Sequence, residues 1–291
     1  MTQETAKKAS PPESPWSTLA VRVRSAGVMT LIGLACIFGG KSLLSLLVIL
    51  MGIVGIDEFF CMVERLDCRP MRRLGLFWLA AVLIGASLGG LGAMQWAFTV
   101  GLLCSLVFCV FRISSRKNPL QDVANTILGV SYVGFLGFAI LLRNIPGQLT
   151  LGPVSCDLGA AWIATVMCLC ASTDIAAYFA GRFLGKHKLA PAVSPKKTVE
   201  GSVFGLLAAA STLYWLAGHL GVPPIQAFFF GGLVSAVSQI GDLWESALKR
   251  QCGVKDSGDF INGHGGVLDR FDSLAFAGPC FYLGGRLLGW F

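Results

Sequence analysis

The chain has 291 residues, of which 54% are hydrophobic and only 13% charged. Several apolar runs reach the roughly 20 residues that a helix needs to cross a bilayer, which excludes a soluble enzyme with an ordinary apolar core. The net charge of +7 is accounted for by Lys and Arg flanking those runs, so no nucleic-acid partner needs to be invoked.

Residues 1–24 lack the continuous apolar stretch and small-residue cleavage site of a signal peptide and read as a short cytosolic tail; 25–291 read as a transmembrane domain. Apolar runs alternating with charged or Pro/Gly-rich breaks predict an all-α, polytopic integral membrane protein of about nine spans. They fall near 25–40, 42–63, 74–92, 94–112, 122–142, 159–181, 199–219, 226–248 and 273–290. Gly39-Gly40 leaves only a very tight turn between the first two, and a long helix pair with a re-entrant corner is the alternative. With the N-terminus in the cytosol, all of the 23 basic residues except Lys41, Arg143 and Arg286 fall on the cytosolic side. That bias supports the count and the N-in, C-out orientation together. The 10 cysteines lie mostly within apolar runs, without CxxC or His/Cys ligand spacing, and read as small apolar fillers.

Three polar constellations follow on the cytosolic side. On the sixth span Asp174, Tyr178 and Gly181 share one helical face. Beyond it, Ser194-Pro195 reads as an N-cap with proline at the first helical position. This predicts Lys196, Lys197 and Thr198 in the first turn of the seventh helix, where free N–H groups and the helix dipole attract anions. Ordinary positive-inside decoration would account for either lysine alone.

The eighth span carries Ser235, Ser238, Asp242, Glu245 and Lys249 at steps of three and four, hence on one face. A polar stripe inside a span must look into the bundle or a wet cavity. The serines suit an interhelical hydrogen-bond seam; Asp242 needs a partner, and a metal ion is a good one. The Gly-rich segment after it brings Lys249, Arg250, Lys255, His264 and Arg270 together with Asp256, Asp259, Asp269 and Asp272. Carboxylates hold a hard cation and bases neutralise phosphate oxygens, so the mixture suits a metal–polyphosphate, and glycine lets the backbone fold close around an anion. A juxtamembrane stop signal would explain the bases but not the acids. The sequence has no Walker-A loop, dinucleotide fingerprint, nucleophile elbow or HExxH motif.

The string Ser246-Ala-Leu-Lys249-Arg250, then Lys255-Asp256-Ser-Gly258, then His264-Gly-Gly-Val-Leu-Asp269-Arg270-Phe-Asp272 resembles the signature of the phosphatidate cytidylyltransferases (CDP-diacylglycerol synthases). The block from Asp174 to Gly201 is similar to the same family's second motif, so the resemblance covers 172–272. One departure is Asn262, where that family usually has Pro or Gly.

The resemblance implies Mg²⁺-dependent transfer of the cytidylyl group of CTP to phosphatidate, with release of pyrophosphate. It implies Asp242 and Asp269 as metal ligands, with Asp174, Asp256 and Asp272 as second-tier candidates and K⁺ or Mg²⁺ as a second cation. Asp242, Asp269, Lys249 and Arg270 become the expected catalytic set. Ser194, Lys196, Lys197, Thr198, Arg250, Lys255, His264 and Asp174 become the substrate-binding set, His264 as a hydrogen-bond donor to phosphate. The competing readings are a related lipid enzyme, such as a polyprenol or phytol kinase, and a cation-coupled transporter using Asp174, Asp242 and Glu245. Transporters often show symmetry between halves and discontinuous midplane helices, whereas here the polar residues gather at one face. The expected partners are CTP, phosphatidate and membrane lipids, with no nucleic acid, and the apolar exterior suits a side-by-side homodimer. The expected location is a bacterial inner membrane, with the active site facing the cytoplasm.

Overall fold

The computed structural model describes residues 15–112, 118–151, 153–258 and 265–291. The expected positions Asp259, Asn262 and His264, together with 1–14 of the tail, lie outside the described residues.

Helix α1 (Pro15–Phe38) begins inside the segment read as a tail and ends at Gly39-Gly40, from which α2 (Lys41–Glu64) starts. Gly40 takes φ +124°, a conformation that glycine alone adopts readily. Gly33 on α1 and Val48 on α2 line one cavity, although a straight helix would hold them over 20 Å apart, at about 1.5 Å per residue. The two helices therefore fold back on one another, as the tight turn requires.

The segment α3 (Arg72–Arg112) is two helical arms that meet at Gly90, which sits at φ 67°, ψ −157°. Trp78 and Phe98 meet with ring centroids 5.4 Å apart; along a straight helix they would be separated by about 30 Å. The chain reverses at Gly90 into two antiparallel arms, and a side chain at Gly101 would run into Trp78.

Helices α4 (Pro119–Gly134) and α5 (Gly137–Arg143) form one rod with a tightened turn between them, where Phe138 and Ala139 donate three residues back. The hairpin β1 (Gln148–Leu151) and β2 (Val154–Asp157) leads into α6 (Leu158–Phe183). A second hairpin, β3 (Lys188–Ala190) and β4 (Ser194–Thr198), leads into α7 (Val199–Leu220), then α8 (Pro224–Gln251) and α9 (Leu268–Leu287). Among the described residues the regular structure is helical apart from these two antiparallel hairpins, which the all-α reading did not include.

Among the described residues, six helices are long and apolar enough to cross a membrane: Lys41–Glu64, Arg72–Phe111, Pro119–Arg143, Leu158–Phe183, Val199–Leu220 and Pro224–Gln251. Large apolar side chains such as Phe77, Leu88, Phe111 and Phe229 point outward, as lipid-facing positions do. The core holds Phe59, Phe60 and Ile56 of α2 and an aromatic stack of Trp162, Phe281 and Trp290.

Arg143, expected among the few bases on the far side, is an internal cross-link and only 1% exposed. Its Nε donates to the Ile37 carbonyl at 2.8 Å and its Nη2 to Asp157 Oδ2 at 2.8 Å, tying the end of α1 to α5 and the first hairpin. An arginine so placed satisfies a helix-end carbonyl that would otherwise be orphaned.

Candidate active site

The site is assembled by α6, α7, α8 and α9 at the end of the bundle where the second hairpin lies. Helices α6 and α7 approach closely because small residues face each other. A Cβ on Gly201 would lie 2.6 Å from the Ala177 carbonyl oxygen, and one on Gly205 would lie 3.0 Å from that of Thr173. Gly201 and Gly205 form the small-xxx-small spacing that brings membrane helices together, a signal present in the sequence but not used above. The contact is completed by the buried pair Thr173 Oγ1 and Ser235 Oγ, 2.8 Å apart, with Gln239 donating to Ser235 and accepting from Ser202 Oγ at 2.6 Å. The serines of the α8 stripe do form an interhelical seam.

One expected local structure is corrected. Ser194–Thr198 is not the start of α7 but a strand paired with Lys188–Ala190. Pro195, which cannot donate, is tolerated in a two-stranded edge. The helix is capped instead by Thr198, whose Oγ1 accepts from the Gly201 N–H at 3.1 Å. Lys196 and Lys197 therefore reach the site from an extended strand rather than a helix terminus. The Glu200 carboxylate, on the first turn of α7, accepts from the backbone N–H groups of Lys186 and His187 and lies 2.6 Å from His187 Nδ1, fastening the hairpin to the helix.

Between α6, the hairpin, α7 and α8 lies a cavity of about 470 Å³, lined by Asp174, Tyr178, Lys196, Lys197, Thr198 and Asp242 among others. Lys197 Nζ pairs with Asp242 Oδ2 at 2.6 Å on the wall of this cavity. Asp174 stands within electrostatic range of both Asp242 and Lys197.

Deeper along the same face of α8, Lys249 Nζ bridges Glu245 Oε2 at 2.9 Å and Asp269 Oδ1 at 2.5 Å. Asp269 Oδ2 accepts from Ser257 N–H, Ser257 O–H and Gly266 N–H, each at 2.9 Å. The described part of the glycine-rich loop thus wraps around the protein's own carboxylate. Gly265 takes φ +80°, and a Cβ there would lie 2.7 Å from Asp269 Oδ2. Two buried polar atoms nearby have no hydrogen-bond partner among the described residues. One is Glu245 Oε1; the other is the Tyr132 hydroxyl, which has Glu245, Asp272, Asp269 and Asp242 around it.

A residue unmarked in the sequence reading holds this loop in place. Glu58 of α2 accepts from the N–H groups of Val267 at 2.9 Å and Leu268 at 3.0 Å and from Ser257 Oγ at 3.1 Å. Its carboxylate serves as the N-terminal cap of α9, supplied from another helix.

The structure brings together Asp174, Lys196, Lys197, Thr198 and Asp242 at the cavity, with Lys249, Asp269 and Asp272 adjoining. Ser194 begins the strand that carries the lysines. Arg250 turns away to the Val254 carbonyl at 3.3 Å. Lys255 and Asp256 are exposed, Asp256 beside Arg65 in a small recess of about 100 Å³. Arg270 lines a different, apolar cavity.

Among the described residues no group of three or more His, Cys, Asp or Glu side chains converges to hold a metal ion. The donor chemistry still suits a hard cation. Mg²⁺ is commonly held by one or two carboxylates, with water and substrate phosphates completing its shell. Among the described residues Asp242 Oδ1 has just Ser246 Oγ, at 3.5 Å, and Asp269 Oδ1 accepts from Lys249 alone, leaving one acceptor site.

A helical membrane protein with acids and bases gathered at one end of its bundle is the class that fold and site define. The sequence model of the Cytidylyltransferase family matches residues 20–288, and the chain belongs to that family. It is similar to the phosphatidate cytidylyltransferase of Bacillus subtilis (strain 168), with 33% identity over 270 residues, covering 90% of this chain and 95% of that one. The phosphatidate cytidylyltransferase of Synechocystis sp. is 32% identical over 252 residues, 79% of this chain and 83% of its own. That of Brucella suis biovar 1 is 39% identical over 200 residues, 65% of this chain and 66% of its own.

Proposed function

We propose that this chain transfers the cytidylyl group of CTP to phosphatidate, giving CDP-diacylglycerol and pyrophosphate. The observation that carries this reading is the polar cavity, whose wall sets Lys196 and Lys197 beside the carboxylates of Asp174 and Asp242. Family membership and the names of the relatives support the same reaction.

A phosphatidate oxygen attacks the α-phosphorus of CTP. The bond from that phosphorus to the oxygen leading to the β-phosphate breaks, and pyrophosphate departs with the electron pair. The attacking oxygen is already anionic at neutral pH, so no proton has to be removed and no strong general base is needed. The work lies in bringing two polyanions together and stabilising charge at phosphorus. Lys196 and Lys197 hold the CTP phosphates, with Ser194, Thr198 and Asp174 shaping that wall. Lys249, Arg250, Lys255, His264 and Arg270 are divided between nucleotide and lipid phosphates. Asp242 and Asp269 are the proposed ligands of Mg²⁺, with Asp174, Asp256 and Asp272 in reserve and K⁺ or Mg²⁺ as a second cation. When bound, the metal neutralises phosphate oxygens as charge develops.

The proposed topology has about nine crossings: the long helices, with α3 counted as two arms, together with α1 and α9. The distribution of Lys and Arg supports a cytosolic N-terminus, a tail over 1–24 followed by the transmembrane domain, and a site that faces the cytoplasm of a bacterial inner membrane. A homodimer side by side would cover part of the apolar exterior.

The test is turnover by the purified protein in detergent, supplied with phosphatidate, CTP and Mg²⁺. Equal release of CDP-lipid and pyrophosphate is expected, abolished by chelation and in Asp242→Asn and Asp269→Asn proteins that remain folded. Phosphorylated polyprenol with nucleoside diphosphate as product, and none from CTP and phosphatidate, would move the protein to the kinase reading.

A further inference from the structure

The strand that carries Lys196 and Lys197 belongs to a hairpin too small to hold its own shape. Strands β3 and β4 pair at Lys188 with Thr198 and at Ala190 with Ser194, with an irregular step between. A two-stranded hairpin on its own is marginal at best in water. The two lysines fall between those pairing points. A slip of one residue along such a ladder turns every side chain to the opposite face. The lysines therefore keep their place on the cavity wall only if something outside the hairpin fixes its register.

The fixing point is the base of the hairpin. The Glu200 carboxylate, 24% exposed, accepts from the Lys186 N–H at 3.1 Å and the His187 N–H at 3.2 Å, and lies 2.6 Å from His187 Nδ1. Beside it on α7, the Val199 N–H donates to the His187 carbonyl at 2.9 Å. The two residues that lead into β3 are thus bound to the two that follow β4, and sliding one strand past the other would break these bonds. Gly185 permits the closeness, since a Cβ there would lie 2.7 Å from Thr198 Cγ2.

We propose that Glu200 is a positioning residue for the nucleotide, setting the register in which Lys196 and Lys197 meet the phosphates of CTP; the proposal rests on the cytidylyltransferase reading. An acid three residues from a phosphate-binding lysine would repel the nucleotide if it faced the cavity. Here both carboxylate oxygens are engaged by the hairpin, so Glu200 acts through the lysines and not on the substrate.

The purified protein is assayed in detergent with phosphatidate, CTP and Mg²⁺, each substrate varied in turn. Removing a nearby negative charge would by electrostatics alone tighten the binding of a polyanion, so a positioning role predicts the opposite sign. Glu200→Gln should raise the KM for CTP about tenfold, the worth of one charge-assisted hydrogen bond in a binding constant, and leave the KM for phosphatidate unchanged. Glu200→Asp keeps the charge but draws the carboxylate back by one methylene. It should raise the KM for CTP in the same selective way, and it decides the matter if Glu200→Gln does not fold. Folded variants whose KM for CTP stays at or below the wild-type value overturn the proposal. So does an equal rise in both KM values, which is the mark of a general loss of structure. A wild-type protein that forms no CDP-lipid from CTP and phosphatidate overturns the cytidylyltransferase reading itself, and the nucleotide role of Glu200 with it.

Discussion

Glu58→Gln isolates the contribution of a carboxylate that joins α2 to the start of α9. In the wild type its oxygens accept from two backbone N–H groups and one hydroxyl, all within 3.1 Å. Glutamine keeps one acceptor oxygen but turns an NH₂ group toward a backbone donor. One charge-assisted bond is lost and a buried N–H is orphaned, which costs about 1–3 kcal/mol. Losing the negative charge at a helix N-terminus adds about 0.3–1 kcal/mol. The expected destabilisation is about 1–4 kcal/mol, the sum of these two effects. Ser257 and Gly266, which orient Asp269, lie on the segment that Glu58 pins. Turnover should therefore fall through kcat more than through the KM for CTP. Thermal unfolding in detergent and steady-state kinetics on the same preparation measure both effects. An unchanged Tm with unchanged kcat would refute the claim that Glu58 holds the site together.

Four further outcomes are expected. Gly90→Ala should cost about 1–3 kcal/mol, because Gly90 occupies a backbone region essentially restricted to glycine, whereas Gly92→Ala, where a Cβ meets nothing within 4 Å, should melt near the wild type; equal Tm values would argue against the reversal at Gly90. Thr198→Ala should cost about 1 kcal/mol through loss of the α7 cap, and Ser194→Ala should not; the reverse order would restore a helix start at Ser194-Pro195. Arg143→Gln should cost about 1.5–3 kcal/mol for the lost charged hydrogen bond to Ile37 and Lys41→Gln should be close to neutral, as compared by thermal unfolding. The hydrogen bond from Arg143, with its charge, holds the Asp157 carboxyl below the usual range. That contribution is therefore fully present above the unfolded value of about 3.9 and fades as pH falls through the lower folded value. The Tm of Asp157→Asn should lie below the wild type at pH 7 and converge with it in acid; parallel curves would remove the linkage.

What the sequence disclosed depended on whether the relevant signal was local. The α8 stripe was legible because a helix repeats every 3.6 residues, which puts Ser235, Ser238, Asp242, Glu245 and Lys249 on one side whatever surrounds them. The break between apolar runs near 92–94 falls close to the reversal at Gly90 because a Gly-Gly pair is a local interruption. Ser194-Pro195 misled for the same reason. Considered alone it resembles a helix start, and only its pairing with Lys188–Ala190 makes it a strand. Glu58 gave no sign, since its partners lie about 200 residues further along the chain. Arg143 was counted as a loop charge because the Ile37 carbonyl it satisfies is 106 residues away. The unpaired hydroxyl of Tyr132 is likewise visible only once α4 is set against α8 and α9.

The first turn of α9 is shared property. Asp269 and Arg270 are consecutive, one serving the ion-pair cluster and the other the apolar chamber. A change of register in this helix would move both linings at once, so a substitution that shifts α9 cannot alter one without the other. The opposite wall, supplied by α1 and α2, carries no such double duty.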